Sequence, residues 1–357
     1  MIRAVKVSTR LATGAKRRRL DALMREIRAC TNRYIEHIWS NGGRLDANTL
    51  NSVHGGSLSY RHRSNCLKTA LEIVSATRKA AKALGRTAGR PYASRAIALS
   101  SLVAKIEKGK GSFDYVLKVS GLTKGSPIVI PFRSHRRLNH WFGKSGAELL
   151  QGCVLGIGWA AVSVEIPNAP PKAGRTLGVD VGKNKLIVDS DGVKYGTAMN
   201  AVCAKVRRKK PGSAAKRRAC AERHCYINRE VKRLPWDAIG VIGVERLKHL
   251  KTGKRPGRGK SFRKAMVPWT YRQAIQRIEM LAEENRVLFV TVDPRGTSRT
   301  CPCCGMERKE NRVGEQFRCV DPRCHYSADA DHVGALNVLG RTTGNSGQSM
   351  VTRSPVL

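Results

Sequence analysis

Residues 301–324 carry five cysteines, four of which form two pairs, Cys301 and Cys304 in CPCCG and Cys319 and Cys324 in CVDPRC. Two thiolate pairs at this spacing match a structural Zn²⁺ ribbon, in which one tetrahedral ion closes two tight knuckles. Such a site contributes about 10–16 kcal/mol of apparent binding energy to local folding, so it decides what the segment becomes. Gly305 relieves the turn of a CxxCG knuckle and favours Cys304 as the second ligand. Cys303 leaves a CxC register open, its plainer reading being an idle or buried thiol, and the second pair is wide, with VDPR between its cysteines. The ribbon runs straight into RCHYSADADHVGALNV, residues 323–338, where two aspartates open an apolar helical pattern. Either Asp329 or Asp331 merely caps that helix, or a carboxylate ligand stands directly beside the metal module.

A chain of 357 residues has room for two or three domains. Its 67 Lys plus Arg outnumber 26 Asp plus Glu, for a formal charge of +41. Such a surplus repels itself unless a polyanion neutralises it, and nucleic acid is the obvious one. About six to ten phosphate contacts already make binding strongly salt-dependent, so a far longer polyanion is implied. Eleven cysteines are an odd number, five of them fall within 301–324, and no charged n-region precedes an apolar h-region. A reducing cytosol with metal-bound thiolates is therefore expected, and the other six cysteines read as core. The longest apolar run, VLGIGWAAVSVEI at 154–166, is shorter than the roughly 20 residues a bilayer span needs and reads as a strand, so no membrane segment is expected.

The opening MIRAVKVSTRL alternates Val5, Val7, Thr9 and Leu11 with Lys6, Ser8 and Arg10, the period of a half-buried strand. From Gly14 to Asn41, apolar residues from Leu20 to Ile38 recur at helical spacing, with KRRR at 16–19 on the outer face. A second helix is expected over 65–84, broken by GRTAGRPYAS at 85–94. Strand patterns then return in IALSSLVAKI, DYVLKVSG, SPIVIPF and the 154–166 run. The pattern describes a β-domain whose first strand is separated from the rest by a helical insert. PNAPPKAGR, 167–175, reads as a linker, and the tail after Gly340 lacks periodicity and is expected to be mobile.

Past the linker, TLGVDVGKNKLIVDSDGV places Asp180 on an apolar strand, then a turn and a second strand ending in a hairpin-like SDG. In DAIGVIGVERLKHL, 237–250, Glu245 stands at the end of another apolar strand. A turn residue or a solvated strand end is the plainer reading of either acid alone. Both emerging from buried strands is what neighbouring strands of one sheet need to point at one metal site. Asp331 supplies a third carboxylate, and hard Mg²⁺ or Mn²⁺ ions want oxygen ligands of this kind. An RNase H-like fold, with acids meeting at one edge of a mixed sheet, has this arrangement.

In their order, GVDVGKNKLIVDSDG, VIGVERL, VDPRGTSRTCPCCG and DADHVGALNV resemble the RuvC-like nuclease half of the transposon-encoded TnpB proteins, relatives of the compact type V CRISPR effectors. The resemblance covers about residues 173–340. It implies an RNA-guided DNA endonuclease that cuts double-stranded DNA beside a short flanking motif, with Asp180, Glu245 and Asp331 as catalytic positions holding two Mg²⁺ or Mn²⁺ ions. Cys301, Cys304, Cys319 and Cys324 would hold one structural Zn²⁺. The family commonly has Asn two positions after the third acid, where this chain has Val333, while Gly334, Ala335 and Asn337 fit. The implied fold is a multidomain α/β plus β-barrel chain. A split wedge-like, oligonucleotide-binding-type barrel over 1–13 and 95–170 would flank a helical recognition insert over 14–94. A RuvC-like domain over 171–295 and 325–340 would carry the zinc ribbon at 296–324, followed by a disordered tail at 341–357.

The basic segments then gain expected nucleic-acid roles. They are Lys16, Arg17, Arg18 and Arg19 on the first helix, and Arg207, Arg208, Lys209 and Lys210 in a segment, 204–234, that resembles the family's helical hairpin. The third is Lys251, Lys254, Arg255, Arg258, Lys260, Arg263 and Lys264, where the family has a lid over the active site. For any one of them, a solvated face is the plainer reading. Expected partners are a long structured guide RNA, of transposon-end origin, and a double-stranded DNA target, with the protein a monomer in a prokaryotic cytoplasm, nucleoid-associated when on DNA. A compact type V CRISPR effector, a guided repressor without cleavage and an unguided RNase H-fold nuclease or transposase are the alternatives. His224, His249 and His332 have no assigned role.

Overall fold

The computed structural model of the protein describes residues 1–41, 56–83, 85–247 and 270–344, in two compact units that divide after Asn168. The expected lid at 251–264, His249 and residues 345–357 of the expected tail lie outside the described residues. Residues 341–344, also expected in that tail, instead complete the last helix, where the buried seat of Thr342 holds them in place. Among the described residues no helix is long and apolar enough to cross a membrane.

The first unit begins with β1 (Ile2–Ser8), whose Val5 and Val7 are buried. The strand stops at Ser8, Thr13 caps the next helix by accepting from the Lys16 amide, and Leu11 consequently faces solvent, outside the expected alternation. α1 (Gly14–Ser40) buries Leu23, Ile27, Tyr34, Ile35 and Ile38 against α2 (Tyr60–Ala83), which contributes Cys66, Ala70 and Val74. Two sheets follow. One has the order β1-β8-β7-β2, from β2 (Ile97–Leu99), β7 (Cys153–Gly156) and β8 (Trp159–Glu165), and β8 also pairs with β6 (Glu148–Leu149). The other is β3 (Ala104–Lys108), β4 (Tyr115–Val119) and β5 (Ile128–Phe132), followed by the short α3 (Arg136–Phe142).

IALSSLVAKI, expected as one strand, is thus two. Val103 and Ala104 donate to the Ser100 carbonyl, and the resulting corner sends β2 and β3 into different sheets. Gln151 bridges the sheets by imitating a strand: its amide accepts from Ile106 N (2.7 Å) and donates to Ile106 O (3.1 Å), while Gly152 N donates to Ala104 O. Both sheets and the helix pair share one core.

The second unit is a five-stranded sheet of order β11-β10-β9-β12-β13. β9 (Arg175–Asp180), β10 (Ile187–Asp189) and β11 (Lys194–Tyr195) are antiparallel, and β12 (Ile239–Glu245) and β13 (Leu288–Val292) run parallel to β9. Between β11 and β12 lie α4 (Met199–Arg208) and α5 (Ala214–Lys232), broken where Pro211 and Gly212 interrupt the helical run. α6 (Tyr271–Glu284) precedes β13. A small three-stranded sheet follows, β14 (Arg312–Val313), β15 (Gln316–Arg318) and β16 (Ser327–Asp329), and the last helix, α7 (Ala330–Gly344), continues directly from β16.

Strand alternation assigns the sheet's two faces. Leu177, Val179, Ile242 and Val244 join a core with Ile227 and Val231 of α5 and Ala274, Ile278 and Leu281 of α6. Gly178 and Gly243, partners across β9 and β12, face the other way and lie under α7. A Cβ on Gly178 would stand 2.3 Å from the Ala335 carbonyl oxygen and 2.5 Å from the Leu339 nitrogen, so the helix backbone rests directly on the strand. Gly178→Ala is expected to push α7 outward and destabilise this unit by about 1–3 kcal/mol, as overpacking does. Gly340→Ala, at an open position of the same helix, should stabilise by about 0.5–1 kcal/mol through helix propensity. Thermal melts of the two variants should therefore move in opposite directions.

Candidate metal centres

Asp180 and Glu245 end their strands, and because Val179 pairs with Val244 they are the next residues on adjacent parallel strands. By alternation they share the face of Gly178 and Gly243, the face that α7 covers. Gly334 of α7 approaches Asp180 closely, a Cβ there being 3.2 Å from Oδ2. Asp331 enters from the first turn of α7, with its side chain 13 % exposed. The three acids named from sequence are thus brought to one place by two strands and a helix start.

Their electrostatics are those of a crowded acidic centre. Burial, then the neighbouring Glu245 and Asp331 charges, push the Asp180 carboxyl well above the ordinary carboxylate range, against an opposing pull from Arg312. Burial also raises Glu245, opposed by the hydroxyl of Thr297 and by Arg341 and Arg312. Asp331 is held at both oxygens: Arg312 donates to Oδ1 (3.3 Å) and Lys185 lies 3.4 Å from Oδ2. Buried carboxylates disfavoured by one another call for cations, and this donor set of oxygens suits hard divalent ions.

Asp329 has a different place. Its Oδ1 accepts from the Asp331 amide (3.0 Å), capping the start of α7, and its Oδ2 lies 2.8 Å from Lys185 and 2.9 Å from Lys194. Those cations hold it far below the usual range despite partial burial. The helix cap and the inward-facing acid are thus separate residues.

The four thiols pack as Cys301 against Cys324 (Sγ–Sγ 3.6 Å) and Cys304 against Cys319 (3.5 Å), all within 4.8 Å of one another. Zn–S bonds of about 2.3 Å in a tetrahedron place sulfurs about 3.8 Å apart, so the set fits zinc. Cys303 is exposed and outside the group, in keeping with the CxxCG register. Among the described residues this is the group of three or more such ligands gathered so tightly; Asp180, Glu245 and Asp331 are less closely drawn together. Cys301 and Cys319 share a small core with Phe317, Ala330 and Val333. Val333 therefore fills the ribbon's core from α7.

Sequence reasoning missed Lys185, Thr297 and Arg312, each separated from its acid by a long stretch of chain. The expected nucleic-acid residues are dispersed. Arg17 and Arg18 are exposed at the start of α1, Lys16 is half-buried, and Arg19 donates to Ser126 O and Oγ within its own unit. Arg207, Arg208, Lys209 and Lys210 are exposed at the end of α4, whereas Lys251, Lys254, Arg255, Arg258, Lys260, Arg263 and Lys264 lie outside the described residues. His224 is exposed on α5, and the His332 ring lies 3.3 Å from the Ser190 carbonyl.

Two measurements follow. One zinc per chain should survive Cys303→Ser and be lost in Cys304→Ser, read by metal analysis of the purified proteins. For Asp180, the folded carboxyl titrates above its unfolded value of about 3.9. Its contribution to stability is therefore full below that value and lost as pH rises through the raised folded one. Asp180→Asn should raise the melting temperature of zinc-loaded protein free of Mg²⁺ and Mn²⁺ at pH 7–8 and leave it nearly unchanged near pH 4.

A family model described as "Cas12f1-like, TNB domain" matches residues 271–338, from α6 through the ribbon into α7. Within the chain, 71 residues are 38 % identical to the CRISPR-associated endodeoxyribonuclease Cas12f1 of Sulfoacidibacillus thermotolerans, a match spanning 20 % of this chain and 16 % of that protein. In fold, the chain is similar to Cas12f1 in a complex with sgRNA and target DNA (TM-score 0.53, 15 % identity, 89 % of this chain and 82 % of that one). It is also similar to the mini-RNA-guided endonuclease CRISPR-Cas_phi3 (TM-score 0.52, 12 % identity, 95 % and 93 %). The ribbon segment by sequence and most of the chain by fold agree on one resemblance, to the TnpB-like and compact type V nucleases.

Proposed function

We propose that the protein is an RNA-guided DNA endonuclease that cleaves double-stranded DNA beside a short flanking motif. The observation that carries this reading is the convergence of Asp180, Glu245 and Asp331 from β9, β12 and the start of α7, immediately after a four-cysteine ribbon. The relative matched over 71 residues is named an endodeoxyribonuclease, and a protein of similar fold is described with sgRNA and target DNA. A charge of +41 suits two nucleic-acid partners at once. In this reading the sheets and helix pair of the first unit are the wedge and recognition parts.

Asp180, Glu245 and Asp331 would hold two Mg²⁺ or Mn²⁺ ions, which when bound supply an activated water and stabilise the attacking and leaving oxygens of a phosphodiester. The chain's own part is orientation. Thr297 fixes one oxygen of Glu245, Asp329 caps the helix that presents Asp331, and Gly334 leaves room for the Asp180 side chain. Arg312 brings a positive charge from the ribbon to the same place, where it also suits a phosphate.

Asp180→Ala, Glu245→Ala and Asp331→Ala should each reduce Mg²⁺-dependent cutting to background with RNA binding intact. Asp329→Ala should keep measurable cutting and cost about 0.5–2 kcal/mol as a lost cap. The assay is cleavage of matched and unmatched duplexes by RNA-stripped protein, with and without guide. Equal cutting of both would indicate an unguided nuclease, and guided binding without cutting would indicate a repressor. Sequencing of co-purified RNA, read with the neighbouring DNA, distinguishes a guide from a transposon end from one made by a repeat array.

A further inference from the structure

Helix α7 does more than deliver Asp331. Two turns further on, the Asn337 amide donates both its hydrogens into the turn that leads from β13 to the ribbon, to Thr297 O (2.7 Å) and Thr300 O (2.8 Å). Arg341, one turn beyond, donates to Asp293 O (2.6 Å) at the start of the same turn. The turn is itself closely wound, since the Arg299 and Thr300 amides and the Thr300 hydroxyl all donate to Gly296 O. Thr297 at its centre is 2 % exposed, and its hydroxyl is bonded to Glu245 Oε1 and lies 2.9 Å from Pro294 O.

A hydroxyl carries one proton and can satisfy one of those acceptors as donor at a time. A half-buried carboxylate at a strand end has few other ways to be fixed in direction. Among the described residues Thr297 supplies the side-chain hydrogen bond that Glu245 receives, so the direction of the second acid depends on this contact. Resting on the proposed metal-dependent nuclease reading, we propose that Thr297 is a positioning residue for Glu245, and that Asn337 holds Thr297 in place. One helix would then set all three acids: Asp331 from its own first turn, Asp180 by the packing of Gly334, and Glu245 through the Asn337–Thr297 strap.

The test is Mn²⁺ binding to full-length, RNA-stripped, zinc-loaded protein, followed by electron paramagnetic resonance. Glu245→Gln serves as the reference for loss of a ligand. Thr297→Val, which keeps the side chain's shape and removes the hydroxyl, should weaken Mn²⁺ binding about tenfold or more, the range of outer-sphere partners of metal ligands. Thr297→Ser, which restores the hydroxyl, should return binding to within about threefold of the parent, and Asn337→Ala should weaken it as Thr297→Val does, with zinc content unchanged. Unaltered Mn²⁺ binding in Thr297→Val, with binding weakened in Glu245→Gln, would overturn the strap alone. Equal weakening in Thr297→Val and Thr297→Ser with a lowered melting temperature would also overturn it, reducing Thr297 to a packing role. Unaltered binding in Glu245→Gln would overturn the metal reading, and the strap with it.

Discussion

The second unit depends on the direct seating of α7 on β9 and β12. Gly178 and Gly243 are register partners, and each leaves the space that α7 occupies: the Ala335–Leu339 backbone over one and Thr342 over the other. Without side chains at those two points the helix axis drops toward the sheet, and Gly334 then reaches Asp180. A larger residue at either strand position would lift the helix and separate the third acid from the first two. Close packing of this kind transmits small volume changes, because protein interiors have few voids to absorb them.

The ribbon between β13 and α7 gives that helix its start. Its apolar content is slight, with Phe317 as the large fully buried side chain beside Cys301, Cys319, Ala330 and Val333. Two of those five are thiols and two come from α7. Zinc bound by the four cysteines would thus supply folding energy that this small core lacks, and the same core contains the first turn of the acid-bearing helix. On the sheet side, Lys185 completes the join: its ammonium lies within 3.5 Å of Glu315, Asp329 and Asp331, and Asn184 donates to Glu315. Metal site and acid are adjacent in sequence because one structural unit serves both.

Legibility in the sequence followed the range of the interactions. That Asp180, Glu245 and Asp331 come together was legible because an acid ending an apolar strand, or opening a helix after a knuckle, is a local anomaly. The four thiols were readable for the same reason, and Cys303, which stands outside their cluster, shows how much the single Gly305 decided. IALSSLVAKI misled because its apolar period continues through a corner made by the Ser100 carbonyl, and only the sheet partners reveal two strands. Thr297 and Arg312 were silent. A threonine and an arginine in a basic chain carry no signal until Glu245 and Asp331 are seen beside them.

Those silent residues share a physical role. Three carboxylates cannot be brought together by apolar packing alone, since burial and mutual repulsion both oppose their ionised forms. Here each receives a different compensation: Asp331 has two cations, Glu245 a hydroxyl and more distant arginines, and Asp180 chiefly the pull of Arg312. Burial and the charges of the two neighbouring acids together push the Asp180 carboxyl well above its ordinary range, so its need for positive charge is set by its neighbours as well as by its own burial. In the proposed metal-bound state an ion would relieve that repulsion, and at Asp331 it would meet Arg312 and Lys185 at the same oxygens. Arg312 from the ribbon and Lys185 from the sheet side thus meet at the first turn of α7, whose seat on the sheet is set by its glycine contacts.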